Sequence, residues 1–253
     1  MGNILALRVN YLSSPFIPLD RCAEIGIKHL EIVMEDPNQT TDDVLRLIEP
    51  HGLQVASIHA PSPIEDDAVF DMIADYADRA VRLGTRSLFV SVHTGEMPLD
   101  DAYARLRRLG DISGERGIAL AMETHPNLCQ NGDIARQTME AVNHPFVGFN
   151  FDTANVYYYN HDITAQGEVS KIAKYVKSVH VKDTDGGFES PHFPVVGQGV
   201  VDYPAVFAAL AEVGFHGPYT LELEGDAASA DGIDGLVANV AACREYLVGQ
   251  GLI

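Results

Sequence analysis

Residues 118–127 read Ile-Ala-Leu-Ala-Met-Glu-Thr-His-Pro-Asn. Ile118 to Met122 form a short apolar run introduced by Gly117, the pattern of a strand buried on both faces. Glu123 and His125 follow the run, and Pro126 closes it. An ionisable side chain at the end of such a strand costs free energy unless something pairs with it. The arrangement recurs downstream. VGFNFD (147–152) ends in Asp152, KSVHVKD (177–183) carries His180, and YTLELEG (219–225) carries Glu222. Four consecutive apolar runs thus deliver metal-type ligands at or near their C-terminal ends.

Working outward, the same alternation of apolar run and amphipathic segment fills the chain. Strands are predicted at 4–9, 28–33, 53–59, 87–93, 118–123, 147–152, 176–181 and 219–223. Helices are predicted between them. Pro18 opens one that Gly26 stops, and Thr41 or Asp42 caps another that Gly52 ends. Further helices are expected at 65–83, 99–116, 133–142, 163–175, 203–213 and 233–247. Eight strand–helix units without a linker or low-complexity segment predict an α/β fold, a closed (β/α)8 TIM barrel spanning 1–253 as one domain. An open doubly wound sheet is the competing arrangement. It lacks a G-x-G-x-x-G after the first strand, and no Walker-type loop is present.

Composition narrows the functional classes. The 253 residues carry 36 acidic against 17 basic side chains, a net charge of −19, which repels nucleic acid and anionic membranes over most of the surface. Cys22, Cys129 and Cys243 are scattered and odd in number, so neither a disulfide framework nor a Cys-X-X-Cys site is expected, and a reducing cytoplasm is the simplest location. The N-terminal MGNILALRVN lacks the pattern of a secretory signal, and Ala6 misses the myristoylation pattern. No apolar run approaches the length of a membrane span.

In a barrel of this kind, chemistry sits at the C-terminal ends of the strands. Glu31, His59, His93, Glu123, Asp152, His180 and Glu222 all fall at or near such ends. The last four belong to neighbouring strands and can converge on one point. Three carboxylates and one imidazole suit a single divalent ion (Mn2+, Mg2+, Co2+ or Zn2+) with positions open to water or substrate. The ion would also offset repulsion among the carboxylates.

The set ETHP, FNFDTAN, SVHVKD and TLELEG resembles the sugar phosphate isomerase and epimerase group of the xylose-isomerase-like barrel superfamily, which includes ketose 3-epimerases, hydroxypyruvate isomerase and inosose isomerases. The resemblance implies that Glu123, Asp152, His180 and Glu222 hold the metal, and that Glu123 and Glu222 are the catalytic acid/base pair. Glu224 lies two residues on, on the same strand face, and competes with Glu222; Glu222 is preferred because it lies less far out. The implied reaction is proton transfer through a cis-enediolate on a sugar, sugar phosphate or cyclitol, giving epimerisation or isomerisation. Loss of a hydroxyl from the same intermediate would make a dehydratase. The related AP-endonuclease-type nucleases carry His where this chain has Asn155, and Asp-x-His where it has Ser190-Pro191-His192, so phosphodiester cleavage fits poorly. A non-catalytic sugar-binding barrel is a third class. Relatives are commonly dimers or tetramers, so a homo-oligomer is an open expectation.

Other side chains carry two readings each. His59 and His93 either touch substrate or simply cap the barrel mouth. His125 and Asn155 bind substrate hydroxyls or loop backbone, with Asn127 read the same way. Lys182 contacts a substrate oxygen or merely neutralises Asp183. His192 sits in a loop that could fold over the site. Glu31 reads more simply as a structural partner. Tyr157, Tyr158 and Tyr159 form a sugar-contacting wall or a subunit contact. Gly197 and Gly199 offer amides to an anion or form a plain turn.

Overall fold

The apolar runs pair side by side in chain order. The structure, a computed structural model, describes residues 2–34 and 39–253. The strands are β1 (Leu5–Tyr11), β2 (His29–Val33), β3 (Gln54–His59), β4 (Ser87–Val90), β5 (Ala119–Glu123), β6 (Val147–Asp152), β7 (Val176–Val181) and β8 (Tyr219–Leu221). Each pairs in parallel with the next, and β8 pairs back onto β1 through Leu5–Tyr219, Ala6–Thr220 and Leu7–Leu221. The sheet is therefore a closed barrel, as predicted, and no open doubly wound sheet forms. Its strands are buried nearly throughout; all six residues of β6 are buried, the polar Asn150 and Asp152 included.

The helices are α1 (Leu19–Glu24), α2 (Thr41–Ile48), α3 (Ala68–Leu83), α4 (Leu99–Gly114), α5 (Gly132–Val142), α6 (Asn155–Tyr158), α7 (Ala165–Ile172), α8 (Tyr203–Glu212), α9 (Gly225–Ala228) and α10 (Gly232–Gly249). The capping residue of α2 is Thr40, not Thr41 or Asp42. Thr40 accepts from the Asp43 N–H at 3.1 Å, and the Asp43 carboxylate accepts from the Thr40 N–H at 2.9 Å. The reciprocal bonds require the acid three residues after the cap, which only Thr40 satisfies. The strand predicted over 87–93 ends at Val90, so His93 lies on the loop beyond it. The short helices α6 and α9 were not predicted.

Candidate active site

Each strand end supplies one or two polar groups to the same mouth. One ligand atom from each of Glu123, Asp152, His180 and Glu222 lies within 4.8 Å of the other three, and all four residues are buried. Glu222, and not Glu224, joins this cluster. Glu224 caps α9 with its side chain half-exposed.

The four groups are held from outside. Asp152 Oδ1 accepts from the backbone N–H of Ala154 and Asn155 at 2.8 and 2.9 Å, so the turn into α6 fixes that carboxylate. Its Oδ2 faces the cluster and lies 2.9 Å from Lys182 Nζ. Glu123 Oε2 is held by the Ser91 hydroxyl and by His125 Nε2 at 2.6 Å. His125 Nδ1 in turn meets the Tyr159 hydroxyl at 3.0 Å. His180 Nε2 lies 3.0 Å from Glu31 Oε1, while Nδ1 points into the cluster, 3.1 Å from Glu222 Oε2 but without hydrogen-bonding geometry. Lys182 Nζ sits 2.9 Å from carboxylate oxygens of Asp152, Glu222 and Glu224 alike. It does not pair with Asp183, which corrects that alternative.

Electrostatics follow from this burial. Burial alone raises a carboxyl pKa, but His180 and Lys182 outweigh it at Glu222 and hold that group well below its usual range. At Asp152 burial wins over Lys182 and pushes the carboxyl up to about 6. Burial also opposes charge on His180 and Lys182. The surrounding carboxylates overcome it and raise both well above their ordinary values. A hard divalent cation suits the oxygen-rich donor set, would take up His180 Nδ1, which makes no hydrogen bond, and would share Asp152 Oδ2 with Lys182.

Behind the cluster lies a group that the sequence reading passed over. Arg8 of β1 donates to Glu31 Oε1 at 2.7 Å, approaches Glu222 Oε1 at 3.5 Å and reaches His59 Nδ1 at 3.0 Å. Glu31 is completely inaccessible and also accepts from the Ser57 hydroxyl. His180 and Arg8 offset its burial and hold its carboxyl down to about 2. The available signal was a lone arginine inside the apolar run Ile4–Val9, the same kind of exception that singled out Glu31.

A cavity of about 320 Å³ opens beside the cluster, lined in part by Glu123, His125, Asn155, Tyr159, Lys182 and Glu224. Asn155 is buried, with Nδ2 donating to the Thr124 carbonyl at 3.3 Å. Tyr158 also lines the cavity, whereas Tyr157 is buried and accepts from the Ala165 N–H. Lys182 lies over the Phe193 ring at 5.3 Å. His93 packs against His125 at 4.7 Å between ring centroids and His59 against Phe89 at the same distance, so both occupy the mouth. Asn127 donates to Thr94. His192 points elsewhere. It is exposed and 3.1 Å from Asp226, while its neighbours Pro191 and Phe193 line the cavity.

Gly197 and Gly199 do offer their amides to an anion, and it is the protein's own Asp183. That buried carboxylate accepts from Gly197, Gly199, Val201 and Thr184 at 2.8 to 3.2 Å. Gly197 needs its φ of +92°, and a Cβ on Gly199 would overlap Asp183. Asp183→Ala is expected to destabilise the chain by about 3 kcal/mol, because several donors lose one charged acceptor. Urea unfolding measures this; a loss below about 0.5 kcal/mol would show the loop is held by other means.

Comparison with known proteins places the fold. The chain is 29% identical to L-ribulose-5-phosphate 3-epimerase UlaE of Salmonella paratyphi C over 144 residues, 56% of this chain and 47% of that protein. It thus spans about half the length of the curated relatives it matches. A xylose isomerase domain protein from Planctomyces limnophilus superposes with a TM-score of 0.79 at 20% identity, covering 98% of this chain and 97% of that one. A xylose isomerase-like TIM barrel protein from Mycobacterium smegmatis, solved in complex with magnesium, gives 0.73 at 22% identity, covering 100% and 98%. The family model described as xylose isomerase-like TIM barrel matches residues 19–245, and the chain belongs to that family.

Proposed function

We propose that the protein is a divalent-metal-dependent sugar or polyol epimerase or isomerase, working by proton transfer through a cis-enediolate with Glu123 and Glu222 as the acid/base pair. The observation that carries this reading is the convergence of four buried ligand atoms, two of them on those glutamates, beside a cavity sized for a small sugar. The 3-epimerase name of the Salmonella relative supports epimerisation, and the magnesium in the Mycobacterium structure supports a divalent ion.

Glu123, Asp152, His180 and Glu222 would hold the ion. When bound, it supplies Lewis-acid polarisation of a carbonyl and its neighbouring hydroxyl, which acidifies the adjoining C–H. The chain's own groups supply the rest. One glutamate removes the proton and the other returns it. Glu222 is kept ionised by His180 and Lys182, which leaves it a free carboxylate to accept a proton but lowers its basicity. His125 and Ser91 fix the Glu123 carboxylate, so its free oxygen has a defined direction. Lys182, Asn155 and Tyr159 line the cavity with polar groups for substrate hydroxyls, His125 holds Glu123 and Tyr159 in place, and Pro191 and Phe193 make an apolar wall. The three buried free cysteines suit a reducing cytoplasm. No described helix is long and apolar enough to cross a membrane.

Metal binding is the direct test. Thermal unfolding of the chelator-treated protein is expected to shift upward with added Mn2+ or Mg2+, by the equivalent of about 2.7 kcal/mol at a hundredfold excess over Kd. Asp152→Ala should abolish the shift. A protein indifferent to all four candidate ions would remove this reading.

A further inference from the structure

At the opposite end of the barrel a second cavity, of about 400 Å³, is lined by residues that begin the strands or precede them. His29 starts β2, Gln54 starts β3, Ser87 starts β4, Lys177 is second in β7, and Arg86 and Pro218 lie just before β4 and β8. With strands of about five residues, this mouth is roughly 15 Å from the metal-type cluster.

Its charge is the reverse of the rest of the molecule. Acidic side chains outnumber lysine and arginine 36 to 17, yet no carboxylate lines this cavity, while Arg86 and Lys177 do. Most lysines and arginines elsewhere pair with Asp or Glu, including those of the upper mouth. Among the described residues, no ion pair involves His29, Arg86 or Lys177. Lys177 is half-buried, so an unpaired ammonium there costs desolvation, and burial lowers its pKa. A separate observation points the same way. Ser87 is 5% exposed, lines this cavity, and its hydroxyl has no hydrogen-bond partner. A buried hydroxyl without a partner is uncommon and calls for a ligand or water.

We propose that the N-terminal mouth of the barrel binds a phosphate group, as inorganic phosphate or on a small phosphorylated metabolite, through Arg86, Lys177 and the Ser87 hydroxyl. A planar guanidinium can take two phosphate oxygens, an ammonium supplies a mobile point charge, and a hydroxyl donates to a third oxygen. The cavity has room for such a group with a short carbon chain. The site is independent of the reaction proposed for the other end.

The test is isothermal titration of the intact, chelator-treated chain with inorganic phosphate, glycerol 3-phosphate and glycerol, at constant ionic strength. Saturable binding of phosphate and glycerol 3-phosphate, but not glycerol, is expected. Arg86→Gln and Lys177→Met should each weaken it about tenfold. Arg86 is exposed, and Met keeps most of the Lys177 stem that lies over Gly148, so both variants should fold, as circular dichroism would verify. Tighter binding of glycerol 3-phosphate supports a metabolite as ligand; tighter binding of inorganic phosphate supports the free anion. Absence of binding, or binding unchanged in both variants, overturns the proposal.

Discussion

Glu123→Gln and Glu222→Gln are each expected to slow interconversion of the substrate epimers or isomers by about 100- to 10,000-fold, the range for loss of a general acid or base. Gln keeps the volume and one accepting oxygen. At Glu123 that oxygen can still take the Ser91 and His125 bonds, so the barrel should fold. At Glu222 the loss is larger, because Lys182, His180 and Arg8 all lean on its charge. Each variant should therefore be assayed at saturating metal, which separates weakened metal binding from lost proton transfer. The two should also differ in kind. If each glutamate serves one face of the substrate, each variant still exchanges the proton of one epimer with D2O while failing to convert it. Proton exchange followed by NMR would read this, and full conversion by either variant would strike that residue from its role.

Glu31→Gln is expected to weaken metal binding 10- to 100-fold, the usual effect of losing the carboxylate behind a ligating histidine. Glu31 takes no part in the four-atom cluster. It meets His180 Nε2 at 3.0 Å, which turns Nδ1 toward Asp152 and Glu222. Arg8 and Ser57 lock its two oxygens. A glutamine amide in that place would set an N–H2 group against one of three donors and leave the Arg8 charge leaning on Glu222 alone. The apo protein should lose stability as well, because a buried ion-paired group has lost its partner. Titration calorimetry with Mn2+ or Mg2+ isolates the effect on the ion, with Ser57→Ala as a milder comparison. Unchanged affinity in Glu31→Gln would show that His180 is oriented by packing on Phe89 instead.

The frame of this site was legible in the sequence because the physics behind it is local. A strand buried on both faces must be apolar, so Asp152 and His180 stand out at the ends of 147–152 and 176–181, and those strands have the predicted bounds. What was not legible is three-dimensional. Ser57, Ser91 and Tyr159 are ordinary hydroxyl residues until the fold sets them against Glu31, Glu123 and His125. Arg8 was a lone charge in an apolar run, but its partners Glu31 and His59 on the next two strands were not readable from it. The short helix α6 has too few residues for a helical period. His192 looked like a lid residue from its position in a long loop, yet Asp226 holds it outward. Lys182 looked like a partner for its neighbour Asp183, but beyond the end of β7 it reaches across to Asp152, Glu222 and Glu224. Asp183 instead ties down the following loop.

The pairing of β8 with β1 has a consequence for biosynthesis. The two join residues more than two hundred positions apart, so the seam cannot shut until every other strand of the barrel has been synthesised. Until then a nascent chain presents two unpaired sheet margins, an invitation to aggregation that chaperones would have to mask. Glu222 follows Leu221, the last residue of that seam, directly. The act that seals the cylinder therefore also brings Glu222 to the other three members of the buried cluster.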